Sequence, residues 1–291
     1  KEADGLVTSL KQVPLLIFTA DCVPIVFYDK KQGEMRMSES LFISKIEYAC
    51  YKKEELFNRS KAKYAIRSMF AGAFLTLSTA AGVIVADLMN GFASGTGRFV
   101  FPFIFAWGLV YILFLNAELT TSNMMYLTAG TFLKKINWKK ALLILLYCTF
   151  FNLVGALFIG FIFNQTSEFT HLTSKSFLAG IVEHKLSRPN QLVIFEGIVA
   201  NIFVNIAILS YLLLKNSTAK ILIVISAIYM FVFLTNEHLA ANFASFSLVV
   251  FNKIAGQIEV FNLLNIFRHF SVTFLANWIG GGLLIGLSYA F

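Results

Sequence analysis

Six apolar runs decide what this chain can become. They cover roughly residues 68–89, 99–133, 141–163, 191–214, 221–251 and 270–291, each near or above the ~20 residues that a helix needs to cross a bilayer. Only 14% of the residues are charged, against about 25% in soluble domains, so a membrane protein is favoured. The predicted fold class is an all-α membrane protein with six transmembrane helices.

The formal charge of +8 does not read as a nucleic-acid footprint, because the cations are not gathered on one face between aromatic readers. They fall mostly in the short gaps between apolar runs. Lys134-Lys135-Ile136-Asn137-Trp138-Lys139-Lys140 is the densest such gap, and Lys215 to Lys220 is another. If all six runs cross, these gaps and the basic N-terminal arm share one side, which the positive-inside rule makes cytoplasmic. Both termini are then cytoplasmic, and the expected location is a bacterial inner membrane. Cys22, Cys50 and Cys148 show neither paired nor metal-ligand spacing, so no disulfide framework, metal site or cofactor is expected. No cleavable signal peptide is expected either, since a basic start followed by a small-residue cleavage site is lacking.

Residues 1–34 differ in pattern from the rest of the chain. Val7 to Tyr28 alternates short β-rich runs with turn residues. Ala3-Asp4-Gly5-Leu6-Val7-Thr8 and Thr19-Ala20-Asp21-Cys22-Val23-Pro24-Ile25 resemble the laccase-domain purine nucleoside phosphorylase family, in which the cysteine of the Ala-Asp-Cys run binds a metal with two histidines. The first histidine here is His171, and about 34 residues are too few for an independent core. The segment is therefore read as a truncated soluble-domain remnant without activity. Residues 35–67 form a polar, mixed-charge segment expected to be cytoplasmic. Within it Ser38 to Phe57 has the pattern of an amphipathic helix, lying at the membrane surface or simply solvated. Residues 68–291 are expected to form the six-helix membrane domain.

Runs two and five are too long for one straight crossing and are polar in their middles. Run two holds Asn116-Ala117-Glu118-Leu119-Thr120-Thr121-Ser122-Asn123. Run five holds Asn236-Glu237-His238-Leu239-Ala240-Ala241-Asn242. Between Lys220 and Lys253 the only acid or base besides tyrosine is the pair Glu237–His238. Ionisable residues at membrane depth mark ion or proton pathways by default, and an imidazole exchanges protons near neutral pH. Asn152-Leu153-Val154-Gly155 and Asn277-Trp278-Ile279-Gly280 repeat an Asn-x-x-Gly pattern downstream of each interrupted run, and Glu118-Leu119 parallels His238-Leu239. Repeats of three spans each must be inverted across the membrane, so the second and fifth helices are expected to be interrupted at matching positions, where a transporter site is built.

Ala117-Glu118-Leu119-Thr120-Thr121-Ser122, Asn152-Leu153-Val154-Gly155-Ala156, Gly197-Ile198-Val199-Ala200-Asn201, Glu237-His238-Leu239-Ala240-Ala241-Asn242 and Asn277-Trp278-Ile279-Gly280-Gly281-Gly282, in this order, resemble the formate/nitrite transporter family over about residues 35–291. The resemblance implies an aquaporin-like protomer assembled as a homopentamer, with His238 as the central pore histidine and Thr121 as its partner. It further implies that Lys185 is the vestibule lysine and Asn201 the pore-facing asparagine, and that Phe105, Leu109 and Phe231 form apolar constrictions on either side of the histidine. Thr120 replaces a bulky aromatic of the best-known formate channels, which opens the way to larger acids such as lactate.

The function so implied is a channel or transporter for small monovalent weak-acid anions, formate first, with nitrite or hydrosulfide also candidates. Its partners are the anion and protons. The pore set is His238, Thr121, Thr120, Lys185, Asn201 and Glu237, with no catalytic residue, since no enzyme is expected. Alternatives are a lactate or short-chain monocarboxylate–proton cotransporter of the same fold, and a neutral-solute channel. The last lacks paired Asn-Pro-Ala loops.

Overall fold

The computed structural model describes residues 41–291 and, before them, the backbone of the strands β1 (Val26–Tyr28) and β2 (Met35–Met37). The chain divides into two units, Lys1–Leu41 and Phe42–Phe291. In the first, β1 and β2 pair antiparallel with Phe27 opposite Arg36. Cys22 and the Ala-Asp-Cys run lie outside the described residues.

The second unit is all helical. It opens with α1 (Leu41–Arg59) and α2 (Lys61–Phe92), continues with α3 (Gly97–Phe114), α4 (Thr120–Phe132), α5 (Trp138–Phe163), the single turn α6 (Ser167–Thr170) and α7 (Phe177–Leu186), and then runs through α8 (Asn190–Leu213), α9 (Ser217–Phe233) and α10 (Leu239–Val250). A 3₁₀ turn (Lys253–Gln257) precedes α11 (Leu263–Asn277), a π-helical stretch (Trp278–Leu287) and the terminal turn α12 (Ser288–Ala290). Polar side chains start several of these helices, each closing one of the orphan N–H groups of a first turn. Ser60 accepts from Lys63 N–H at 3.2 Å, Asn137 from Lys139 at 2.9 Å and Asn216 from Ala219 at 2.9 Å.

Among the described residues five helical segments are long and apolar enough to cross a membrane: Lys61–Phe92, Gly97–Phe114, Trp138–Phe163, Asn190–Leu213 and Leu263–Ala290. The apolar α9 and α10 are shorter; the 12 residues of α10 rise only about 18 Å. The backbone leaves the helix after Phe114 and re-enters at Thr120, and it does the same between Phe233 and Leu239. Each gap turns on a residue with left-handed φ, Asn116 (55°) and Thr235 (60°). Asparagine tolerates that region, but a β-branched threonine there is strained unless neighbours hold it. Close crossings rest on glycine. A Cβ on Gly155 would run into the Met69 carbonyl of α2, and one on Gly280 into the Ile198 carbonyl of α8.

Several elements depart from the sequence-based expectation. The first membrane helix starts at Lys61 rather than 68. The stretch 164–190, which the apolar runs leave between two crossings, holds α6 and α7, because Leu178, Ala179, Val182 and Leu186 give it a buried face. The helix predicted over Ser38–Phe57 to lie on the membrane or in solvent turns its apolar side to the protein instead. Phe42, Ile46, Cys50 and Phe57 are buried in the main core, and the Cys50 thiol donates to Tyr126 O at 3.4 Å. Burial pushes the Cys50 thiol up to about 11, and the neighbouring Lys53 charge only partly opposes this.

Candidate functional site

The two gaps between half-length helices are built alike. In the first, Asn152 of α5 accepts Thr120 N–H at 2.9 Å through Oδ1 and donates through Nδ2 to Ser68 O and Glu118 O, both at 2.8 Å. In the second, Asn277 accepts Leu239 N–H at 2.8 Å and donates to Gly197 O at 2.8 Å and Glu237 O at 3.0 Å. One asparagine thus satisfies the leading N–H of the re-entering helix and two carbonyls, the groups that hydrocarbon would leave unpaired.

Each gap also buries a glutamate. Glu118 accepts from Lys53 of α1 at 2.5 Å, Tyr64 at 3.3 Å and Asn123 at 3.3 Å. Glu237, wholly buried, accepts from Lys185 at 2.8 Å, Arg188 at 2.9 Å, Asn242 at 3.0 Å and His269 at 3.1 Å. The halves therefore match Glu118 with Glu237 and Leu119 with His238. This corrects the pairing of Glu118-Leu119 with His238-Leu239 by one residue, a slip invisible until the bonds are seen, since both glutamates are followed five residues later by a bonded asparagine. Glu237, expected among the pore residues, is a fully buried anchor for four donors.

His238 caps α10. Its Nδ1 accepts the Ala241 N–H at 3.3 Å, and its Nε2 lies 2.9 Å from Thr121 Oγ1 in α4. An acceptor Nδ1 places the proton of the neutral ring on Nε2, which then donates to the threonine oxygen. Thr121 and His238 are thus brought together, both buried. Asn201 joins them, donating to Thr121 O at 3.3 Å and Asn277 O at 2.7 Å, while its Oδ1 is buried with no partner among the described residues. Thr120 turns away, its hydroxyl 2.5 Å from Thr149 on α5.

A cavity of about 100 Å³ lies against this centre, lined among others by Arg98, His184, Lys185, Arg188 and the rings of Phe105 and Phe231. The two rings meet edge to face with centroids 6.4 Å apart, and Phe231 lies 5.5 Å from the His238 ring. Phe231 therefore stands between the cavity and the histidine, with Phe105 packed against its ring. Leu109 is buried one turn further along α3, outside the cavity lining.

Lys185 reaches the cavity but is ion-paired to Glu237. Arg188, absent from the residues expected from sequence, is the best connected cation of the site. It is bonded to Glu196 of α8, Glu237, Thr235 O at 2.7 Å and Thr235 Oγ1 at 2.8 Å. It thus pins the strained residue that bends the chain ahead of His238. Two lysine or arginine charges face two carboxylates, so this cluster carries no net charge when its histidines are neutral. The available signal was spacing: Lys185 and Arg188 stand three apart at the end of a helix, directly before Pro189. His184, likewise unexpected, has Nε2 2.8 Å from Arg188 Nη2; a guanidinium only donates, so this nitrogen accepts. Burial, then the charges of Arg188 and Lys185, hold the His184 pKa below its ordinary value. Among the described residues no three His, Cys, Asp or Glu side chains are grouped to hold a metal. Positive groups at the mouth, two apolar rings and an imidazole–hydroxyl pair behind them suit attraction, dehydration and protonation of a small anion.

Residues 42–291 match the family model described as formate/nitrite transporter, and residues 1–37 match one described as multi-copper polyphenol oxidoreductase laccase. A transporter of Bacillus subtilis (strain 168), YwcJ, is 26% identical over 86% of this chain and 97% of the relative. A formate-nitrite transporter of Plasmodium falciparum (isolate 3D7) is 28% identical over 87% and 84%. Among solved structures, an FNT family ion channel aligns with TM-score 0.79 at 23% identity, covering 85% of this chain and 96% of that one. A pentameric formate channel with formate bound aligns with TM-score 0.65 at 21% identity, covering 78% and 95%.

Proposed function

The chain belongs to the formate/nitrite transporter family, and from that premise we propose that it moves small monovalent weak-acid anions, formate foremost, together with a proton past His238. It is a multi-pass membrane protein and not an enzyme. On this reading α3–α4 and α9–α10 are two interrupted crossings, which with α2, α5, α8 and α11–α12 make six. The two halves run in opposite directions, and five protomers assemble as the related formate channel does. The Lys and Arg distribution puts both termini in the cytoplasm, in a bacterial inner membrane. Residues 1–34 are a remnant outside the transporter domain.

The observation that carries the proposal is the contact of His238 Nε2 with Thr121 Oγ1 at 2.9 Å, made where the two half-length helices begin and directly behind Phe231. A bare carboxylate cannot pass an apolar constriction cheaply, because stripping an ion of water costs many kcal/mol in a low-dielectric medium. A weak acid has another route. It concentrates as an anion in a vestibule lined by Arg98, Lys185 and Arg188, takes a proton from bulk water or, once past Phe231, from a doubly protonated His238 that returns to the neutral ring and is recharged from water, and so moves through the apolar constriction as an uncharged acid. Nitrite, hydrosulfide and lactate are weak acids with the required chemistry too.

The test is uptake of formate, nitrite, hydrosulfide, acetate, lactate and glycerol into proteoliposomes between about pH 5 and 8, where an unperturbed imidazole titrates. Formate is expected to enter with a proton, and glycerol to be excluded. His238→Asn keeps a donor toward Thr121 but cannot titrate, so it is expected to flatten the pH profile while the assembly stays intact. A wild-type profile in that variant would place proton handling elsewhere. The same assay on a chain starting at Met35 is expected to give equal uptake; loss would make residues 1–34 part of the transporter.

A further inference from the structure

The turns that precede the two re-entering helices are closed by the same backbone bond. Ala117 N–H reaches Ile112 O at 2.9 Å in the first half, and Asn236 N–H reaches Phe231 O at 3.0 Å in the second. Asn116 and Thr235 supply the left-handed residue just before, and a glutamate follows in each. Ala117 and Asn236 are therefore equivalent positions. The first half shows that alanine makes this turn, and the left-handed residue of the second is Thr235 rather than Asn236. The bend does not account for an asparagine here.

Asn236 lines the vestibule cavity. Most polar side chains of that wall are used by the protein itself. Thr79 and Ser245 donate to helix carbonyls, Lys185 and Arg188 donate to Glu237, and Thr235 and His184 accept from Arg188. Asn236 differs, because its Nδ2 is buried and donates to nothing among the described residues. A buried donor without a partner calls for an explanation. A carboxamide turns readily about its last torsion, so this donor can be offered to the cavity without giving up a bond of Nδ2. Its base is rigid. Thr235 before it is held by Arg188, Glu237 after it by four donors, and its own N–H by Phe231. A donor held in this way loses little freedom when it binds.

We propose that Asn236 selects the substrate: its Nδ2 donates to an oxygen of a carboxylate or of nitrite in the vestibule, on the cavity side of Phe231, and so favours oxyanions over hydrosulfide. The inference rests on the anion-transport reading above. An ionised carboxylate accepts at both oxygens, whereas sulfur is a weak acceptor. Lys185 and Arg188 cannot make that distinction, since their charge acts on any anion. A hydrogen bond to the anion is also about twice as strong as one to a neutral acceptor. The hold of Asn236 therefore loosens once the acid has taken its proton, and the acid is free to move on.

Two measurements test this. Asn236→Ala gives the second turn the residue that the first already carries. In proteoliposomes its KM for formate and for nitrite is expected to rise about tenfold, the loss of one hydrogen bond to a charged acceptor. The concentration of hydrosulfide that halves uptake of formate, supplied well below its KM, is expected to stay within about twofold, because sulfur accepts weakly. Equal changes for all three ions would mark a merely structural role and overturn the proposal, as would an unchanged KM for formate. The second measurement uses wild-type protein labelled with ¹⁵N-asparagine in lipid nanodiscs. The side-chain amide signal of Asn236 is expected to shift on titration with formate and to stay in place with hydrosulfide. A signal that ignores formate overturns the proposal, whether or not the variant folds. If the wild-type protein carries no formate, the transport reading fails, and the amide titration still decides on Asn236.

Discussion

Glu196→Gln separates the charge of the vestibule from its shape. The glutamine has the same length, keeps an oxygen that accepts from Arg188, and occupies a position 24% exposed, so the fold should tolerate it. What it removes is one of the two carboxylates that offset Lys185 and Arg188. A unit charge acting over ~10 Å at an effective dielectric of ~20 is worth about 1.7 kcal/mol. Partial exposure reduces this by about half, which leaves about fourfold in apparent affinity. Initial rates of formate uptake against concentration, at low ionic strength, should show KM falling by about that factor with the maximal rate little changed. The gain should fade in ~0.5 M salt as the charge is screened. Arg188→Gln, which subtracts a cation, should move KM the other way. A purely structural role for Glu196 predicts weaker uptake on its loss, so an unchanged or raised KM at low salt would refute the electrostatic account.

Two further outcomes rest on the geometry. Asn152→Ala and Asn277→Ala each remove three bonds from equivalent places. At about 0.6 kcal/mol per bond in a bilayer each should cost about 2 kcal/mol in a denaturant titration of the folded protein, the two agreeing within about 1 kcal/mol; a large inequality would show that the halves are not energetically equivalent. His184 accepts from Arg188 only while neutral, and its pKa is held below the ordinary value. The unfolded chain thus takes the proton first, and the stability gained from this contact is present above the ordinary histidine range and lost as pH falls below it. Melting of the wild type should drop toward that of His184→Gln between about pH 7.5 and 5, and a constant gap between them would rule the contact out as pH-sensitive.

The membrane class and the neighbourhood of the site were legible because each has a one-dimensional signature. Apolar runs report burial in lipid, and an isolated Glu237–His238 pair in such a run reports a polar interior. The Asn-x-x-Gly repeats pointed at Asn152 and Asn277 for the same reason. What escaped was what depends on partners far along the chain. Nothing local to Arg188 says that it will meet Thr235, 47 residues on, and nothing in the α1 pattern distinguishes a lipid-facing stripe from one closed by Tyr126 and Glu118. His269 escaped because a lone histidine in an apolar helix reads as packing until the carboxylate beside it is seen. The one-residue slip between the halves had the same origin: motif matching aligned letters, whereas the hydrogen bonds align atoms.

The paired glutamates also bear on how such a chain enters a membrane as it is made. A bare carboxylate arriving in hydrocarbon is among the costliest events in insertion. In both halves the lysine that answers it is synthesised first. Lys53 leaves the ribosome 65 residues before Glu118, and Lys185 leaves 52 before Glu237. Each cation sits on a helix outside the apolar crossings, α1 or α7, and so can wait at the membrane surface. Each acid then reaches the bilayer with its counter-charge already delivered.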